Sequence, residues 1–574
     1  MKHAVAYALI VAAALAVFGP AFAKREVFVL RDHSDYFQPM RMYTAQHLRV
    51  WRLPLWNPYN GSGEPWMANP QTAVFYPPAW LFVVLPFATA YTAYLFIHAL
   101  LLGCGAFRLF SRDAPPLVAT GGAIALMLSG PVLSLLDVSN NYTAFAWLPL
   151  VILFARDRRP IAGGVVLTMS FLGGEPFFAA IAALIYVIVA REVKIAAPVA
   201  IGVSAIQLFP FLAAIARSNR VNVFSAEEVL HSSMTLRDWL RVFVPSRFAP
   251  HAQQEFIVVA YASALVVVLA IAGGVVQWRQ KKFGWIALLL VAILIASGPQ
   301  WLARIPLEVV RYPARLLAYV AFALVALAVA AWPRNAAISA VLAIAIACDL
   351  FIAARPLLVT APFTRSRVPY PSAIGHATKI LQLYGARLTG GSRASWIAGY
   401  TNLFELRFAA TTAAPYAPRR YDELLAQGKL REISVGYVLS TSPLAAPFER
   451  VAQSQSVVVY RLPHALPMAY VVTPRGEKLP PLAVGLDASS ARVIVDTHDG
   501  GTVVLTQNDE PGWRVAVDGI DAEKKLAFGA FRAVNIGPGR HEIVWKYRPL
   551  SLLIGALVTF FTSVAIVFAL LRSR

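Results

Sequence analysis

Asp32 and Asp35 lie just beyond the first long apolar stretch of the chain, within Arg31-Asp32-His33-Ser34-Asp35-Tyr36-Phe37-Gln38-Pro39. Carboxylates placed among arginines at the end of a membrane span can take a proton from an incoming hydroxyl or hold a divalent cation. Helix capping and ion pairing with Arg31 are the ordinary uses of the same side chains. A second chemistry is carried by arginine. Lys24, Arg25, Arg31, Arg41, Arg49 and Arg52 share one polar segment, Arg217, Arg220, Arg237, Arg241 and Arg247 a second, and Arg311 and Arg315 flank Tyr312-Pro313-Ala314. The guanidinium fork matches phosphate oxygens, so a lipid-linked phosphate is a natural partner; plain headgroup contact is the alternative. Glu175 and Asp137 stand at span ends on the same side, as further candidates for substrate or cation. The histidines show no trustworthy metal spacing, and no phosphate-binding glycine loop, nucleophile elbow or HExxH motif is present.

These residues need a membrane to position them. The chain has 574 residues, 58% hydrophobic and only 14% charged, with a net charge of +21. Soluble domains carry roughly 25% charged residues, so a polytopic α-helical membrane protein is expected and nucleic-acid binding is not. Cys104 and Cys348 both fall in apolar runs, so neither a disulfide framework nor a Cys-based metal site can be argued from their spacing. Apolar runs predict about twelve spans: Ala4–Ala23, Phe87–Phe107, Leu117–Leu136, Thr143–Ala155, Ile161–Leu172, Phe177–Ala190, Ile195–Ile215, Phe256–Val276, Trp285–Ser297, Leu316–Ala331, Ala336–Ala354 and Pro549–Leu571. The first could also be a cleaved signal peptide ending in Ala21-Phe22-Ala23; retention is expected. Those around Gly173-Gly174-Glu175-Pro176 are short for a crossing, and broken helices persist in a membrane only where protein or a cavity satisfies their backbone.

Orientation follows from the cationic residues of alternate loops. With the N-terminus in the cytoplasm, the inside loops hold 14 Lys and Arg in 36 positions and the outside loops before residue 355 hold 14 in 122, as the positive-inside rule requires. The predicted organisation is therefore a transmembrane domain, 1–354, with a first extracytoplasmic loop at 24–78; an extracytoplasmic soluble domain, 355–548, β-rich from about Ala491; and a last helix with a short tail, 549–574. The strands are read at Arg492–Val495, Thr502–Leu505, Trp513–Val517, Arg532–Ile536 and His541–Trp545, between Gly, Pro, Asp and Asn turns.

The first loop is too patterned for a linker. Leu53-Pro54-Leu55-Trp56-Asn57-Pro58-Tyr59 with Gly61 and Gly63, then Gln71 and Tyr76-Pro77, join the Asp32 run. Together with Gln207-Leu208-Phe209-Pro210, Arg311-Tyr312-Pro313-Ala314-Arg315, Pro511-Gly512-Trp513 and Asp518-Gly519, they resemble the bacterial YfhO family of membrane proteins over nearly the whole chain. That family in turn is similar to GT-C glycosyltransferases. The resemblance implies a GT-C-like helical bundle in the bacterial cytoplasmic membrane, with a polyprenyl-phosphate-linked sugar as donor and an envelope glycan, polymer or lipid as acceptor. It places the family's acidic position on Asp32 as general base, with Asp35 as helper, and the donor phosphate on Arg311 and Arg315, with Arg220 a further candidate. Trp56, Asn57, Tyr59, Gln71, Tyr76 and Glu175 are the substrate-binding candidates. Mg or Mn is the one cofactor these acids would hold, at Asp32, Asp35 or Asp137.

The implied reaction is an inverting displacement. Guanidinium groups stabilise the charge growing on the departing phosphate while Asp32 takes the acceptor proton. Two rivals remain: a transporter or flippase escorting lipid-linked saccharides, and a non-catalytic envelope scaffold.

Overall fold

In a computed structural model of the chain, residues 3–190, 193–218, 225–245, 256–304, 311–363, 379–383, 419–440, 442–454 and 457–572 are described, with single positions at 248, 252 and 254. Among them, six helices are long and apolar enough to cross a membrane: His3–Lys24, Phe87–Phe110, Ala196–Ile215, Pro313–Ala331, Ala336–Leu357 and Leu550–Arg572. A bent pair, Pro116–Leu128 and Gly130–Asp137, kinked by 41°, is a seventh when counted as one span. The chain is thus a multi-pass membrane protein.

The expected count of twelve is not reached, because several apolar runs are broken or short. Pro160–Leu172, Pro176–Ala190, Ala264–Arg279 and Gly284–Ala296 are helices of 10–17 residues. Thr143–Ala155 divides into Ser139–Phe145 and Leu148–Arg156, with Pro149 in the first turn of the second, where a missing N–H costs nothing. Phe256–Val276 becomes helical only at Ala264. The stretch before it is buried but not helical, and protein satisfies its backbone. Ser134 Oγ accepts from Val259 N at 2.9 Å, Gly130 N donates to the Tyr261 carbonyl at 3.0 Å, and Gln254 brackets Ile257 through both amide groups.

Small residues set the tightest helix contacts. The final helix lies antiparallel to Ala196–Ile215, where a Cβ on Gly555 would clash with the Ala205 carbonyl and one on Gly202 with Thr562. Thr559 Oγ1 bridges this contact, donating to Gly202 O at 3.1 Å and accepting from Ile206 N at 3.0 Å.

The last third holds a β-sandwich of two five-stranded antiparallel sheets. One runs in the order Ile520–Ala522, Trp513–Val517, Gly539–Tyr547, Ser490–Thr497, Ala483–Leu486; the other Lys525–Ala527, Phe531–Ile536, Gly501–Asn508, Ala469–Val472, Lys478–Leu479. Each of the five strands read from the sequence falls within one of these. Strands begin earlier than Ala491, since a further sheet of four includes Val435–Ser440 and Glu449–Ser454, beside the helix Arg419–Ala426. The sandwich core is Val493, Val495, Val503, Leu505, Trp513, Ile543 and Trp545, with Trp56 of the first loop built into it.

Candidate functional site

The first loop opens with a short strand, Glu26–Phe28, paired to Thr360–Pro362 beyond the Ala336–Ala354 helix. Arg31 then takes a left-handed backbone, φ 48°. That conformation costs a non-glycine residue roughly 1–2 kcal/mol, and it turns the chain into the π-helical turn His33–Phe37 with half-buried Asp32 at its head. His33 anchors the turn: it is buried, its Nδ1 pairs with the Tyr91 hydroxyl at 2.7 Å, and desolvation holds its imidazole down to about 3. The ring is neutral at physiological pH. Asp35 lies within the same turn; its side chain, together with Arg220, Arg247 and His251, lies outside the described residues.

Asp137 meets this turn from the end of the bent helix pair. Its side chain is 1% exposed, and neither carboxylate oxygen has a hydrogen-bond donor among the described residues. Arg31 Nη1 stands 3.7 Å from Oδ2, and Asp32 is near enough to act on Asp137 as a like charge. Two neighbouring carboxyl groups, with a guanidinium against one of them, are therefore present. The pair would supply two ligands to a Mg²⁺ only with phosphate oxygens of a substrate completing the shell; no group of three His, Cys, Asp or Glu converges among the described residues.

The cationic half follows through Phe256. Arg31 Nη1 also donates to the Phe256 carbonyl at 3.0 Å, and the Phe256 ring stacks on Tyr312 at 5.4 Å and 20°. Tyr312 is itself left-handed, φ 58°. Strained positions on both sides of one site cost folding energy and persist where neighbours over-determine them. Arg311 lies over the Tyr312 ring at 4.9 Å, while Arg315 is buried, 3.3 Å from Glu175 Oε1 and 3.9 Å above the Phe177 ring. Glu175 follows Gly174, at φ 105°, where a Cβ would press on the Asn140 side chain. Asn140 Oδ1 in turn accepts from Arg41 Nη2 at 2.7 Å, and Arg41 Nη1 donates to the Gln71 carbonyl at 2.6 Å.

Asp32, Asp137, Arg31, Arg311, Arg315 and Glu175 thus belong to one connected set, with Gln71 at its edge, where its Oε1 accepts from Tyr36 at 2.6 Å. The other loop candidates serve elsewhere. Trp56 is 1% exposed, edge-on to Trp513 and Tyr547 at 5.2 Å each, and its Nε1 donates to Gln507 Oε1 at 3.4 Å. Asn57 folds its own turn, accepting from Tyr59 N and donating to Glu64 Oε1. Tyr59 packs on Tyr43. Tyr76 is buried between His98 Nε2, at 2.5 Å, and Trp147 Nε1, at 2.8 Å. Reading the sequence did not single out Arg41, Asn140 or Phe256. Arg41 carried a signal only as one basic residue among many; the other two carried none.

Beside Arg315 an apolar groove of about 550 Å³ runs along the bundle. Ile181, Leu184 and Ile188 form one wall and Leu288, Val291 and Ile295 the other; Leu316 and Tyr319 close the end nearest Arg315, and Arg156 and Lys282 mark the far end.

The sequence matches no family model and no curated protein, so the YfhO resemblance rests on its motifs. The fold is similar to that of a solved structure, arabinofuranosyltransferase AftD from Mycobacteria, at 12% identity and a TM-score of 0.50 over 95% of this chain and 57% of that one. A mutant form of the same enzyme aligns at 12% identity and 0.48, over 95% and 60%. The chain spans less than two thirds of the length of AftD. The architecture, a helical membrane domain carrying a β-rich domain, is accordingly similar in fold to that of AftD.

Proposed function

We propose that the chain transfers a sugar from a polyprenyl-phosphate donor to an envelope glycan, polymer or lipid acceptor on the extracytoplasmic face of the bacterial cytoplasmic membrane. The observation that carries this reading is the joining of a carboxylate pair, Asp32 and Asp137, to the Arg311–Arg315 segment through Arg31, Phe256 and Tyr312. Acid and cation are the two functions that a displacement at a sugar phosphate requires.

The donor phosphate binds against Arg311 and Arg315, and the isoprenoid follows the groove that ends at Leu316 and Tyr319. As the glycosidic bond breaks, charge grows on the leaving phosphate, and guanidinium groups held in a desolvated place stabilise it more in the transition state than in the ground state. Asp32, half-exposed, takes the proton of the acceptor hydroxyl, while Arg31 offsets the repulsion from Asp137. One base and one leaving group suffice for inversion; a retaining route would need a nucleophilic carboxylate on the opposite side of the sugar.

The test is transfer of labelled sugar from short-chain polyprenyl-phosphate donors by purified wild-type protein, Asp32→Asn and Arg311→Gln. Wild type transfers; Asp32→Asn binds donor but loses transfer; Arg311→Gln weakens donor binding. Donor binding by wild type with no transfer to any envelope acceptor overturns the enzyme in favour of a carrier-lipid transporter. Absence of both binding and transfer favours a scaffold.

A further inference from the structure

A second cavity, of about 310 Å³, opens where the Ala196–Ile215 helix ends and the final helix begins. Met67 and Ala68 of the first loop, Ala213 and Ala214 of the helix end, and Leu550 give it an apolar lining, while Arg217, Arg514 and Arg548 bring three guanidinium groups to it. Only one carboxylate answers them. Glu510 is buried and held by Arg217, whose Nη2 lies 2.8 Å from Oε2. Arg514 and Arg548 are exposed and have no ion-pair partner among the described residues. Directly across the strand pair from Arg514 stands Lys546, exposed as well. Like charges in facing register destabilise a sheet, and neither residue makes an ion pair with an acidic side chain among the described residues. The turn is rigid at this point, since Gly512 has φ 110° with Pro549 against it, and its carbonyl accepts from Arg548 N at 2.8 Å.

Position decides the ligand. The cavity lies at the mouth of two antiparallel helices that are each long and apolar enough to cross a membrane, and exposed Leu212, Leu550 and Leu553 continue from it along them. Basic pockets between membrane helices take anionic headgroups. We propose that this cavity binds the phosphodiester of an anionic membrane lipid, clamping the β-sandwich and first loop to the bilayer at a site separate from the Arg311–Arg315 segment.

Full-length protein in detergent, titrated with phosphatidylglycerol, phosphatidylcholine or inorganic phosphate and read by native mass spectrometry and thermal unfolding, tests this. Wild type retains phosphatidylglycerol and is stabilised by it. The double variant Arg514→Gln with Arg548→Gln binds it roughly thirtyfold more weakly, from the loss of two surface cations, whereas Arg514→Lys with Arg548→Lys keeps most of the affinity. Arg475→Gln with Arg540→Gln, elsewhere on the domain, matches wild type. Equal retention by wild type and the glutamine variant overturns the site, as does phosphatidylcholine binding as tightly as phosphatidylglycerol. Displacement of the lipid by millimolar inorganic phosphate makes it a free-oxyanion site and overturns the lipid assignment.

Discussion

Asp32 and Trp56 belong to the same loop, yet their surroundings are opposite. Around Trp56 many polar groups pair within the protein, while Asn508 Oδ1, Trp513 Nε1, Trp545 Nε1 and two nitrogens of Arg532 are buried with no hydrogen-bond partner among the described residues. Asn508 Nδ2 donates to the Gly61 and Gly63 carbonyls at 2.6 and 2.8 Å, Gln507 Nε2 to the Pro58 carbonyl at 3.0 Å, and Ala488 O accepts from Trp56 N at 2.7 Å. Arg532 is boxed by Trp513, Trp545 and Trp56, and burial pushes its guanidinium down to about 9, against the pull of Asp509. It stays charged at neutral pH. Around Asp32 it is a carboxylate that lacks partners: Asp137 has a guanidinium at 3.7 Å and no hydrogen-bond donor among the described residues. Buried polar groups in a folded protein are normally satisfied, and both clusters hold orphaned atoms; the difference is that at the Asp32 cluster the orphan is a carboxylate beside a part-exposed Arg31, which a substrate group can reach. The Trp56 cluster, closed by aromatic packing in the sandwich core, is the scaffold that holds the loop.

The comparison breaks most sharply at Asp32. Asp32→Asn keeps the shape and removes the base, so transfer from a polyprenyl-phosphate donor falls by roughly 10²–10⁴, with the thermal midpoint unchanged. Full activity in the variant would remove Asp32 from the chemistry. Trp56→Ala should do the reverse. Removing a buried Trp from a packed core costs roughly 3–5 kcal/mol, read as a lower unfolding midpoint and faster proteolysis between the loop and the sandwich. At temperatures where the variant remains folded, its donor affinity should match wild type. A selective loss of donor affinity would give Trp56 a direct part in binding.

What could be read from the sequence divides along the same line. The strands were legible because their alternation reports a face: in Arg492-Val493-Ile494-Val495 the two valines are buried and Arg492 is exposed. The Asp32 cluster was legible in type, since carboxylates beyond a span among arginines have few uses. The destination of Trp56 was not, because it is fixed by bonds such as Asn508 to Gly61, between residues 447 positions apart. The count of twelve spans is not confirmed among the described residues for a related reason. Phe256 to Ile257 and Val259 to Ala262 are apolar and buried, yet not helical; hydropathy reports burial, and in a bundle that can host non-helical backbone, burial alone does not make a helix.

Glu64 sharpens the scaffold half. It is 2% exposed, and burial pushes its carboxyl up to about 8, against the hydrogen bonds from Asn57 and Asn60. The folded protein therefore keeps the proton over a range in which the unfolded chain, near the ordinary glutamate value of 4.5, has released it. The sign follows: this contribution is fully present below pH 4.5 and declines by roughly 1.4 kcal/mol per pH unit as pH rises to about 8, then levels. Glu64→Gln, neutral at every pH and able to accept from the same asparagines, should flatten that slope and unfold later than wild type at pH 8. Parallel pH profiles for the two proteins would show that Glu64 is already ionised in the folded state.

The smallest effect is expected from removing divalent cations. Asp32 and Asp137 are the acidic pair at the site, but Arg31 stands against Asp137 where an ion shared by the two would sit, and a guanidinium there supplies the positive charge without a metal. Chelation should change transfer by less than about twofold, within what screening by the added salt produces. The same reasoning makes Arg31→Gln informative, since it leaves two neighbouring carboxylates without their cation. That variant should lose activity and regain part of it with Mg²⁺ or Mn²⁺, as an ion takes the vacated place. A chelator effect above tenfold in wild type, reversed by either metal, would instead make the pair a cation site and leave Arg31 only its bond to the Phe256 carbonyl.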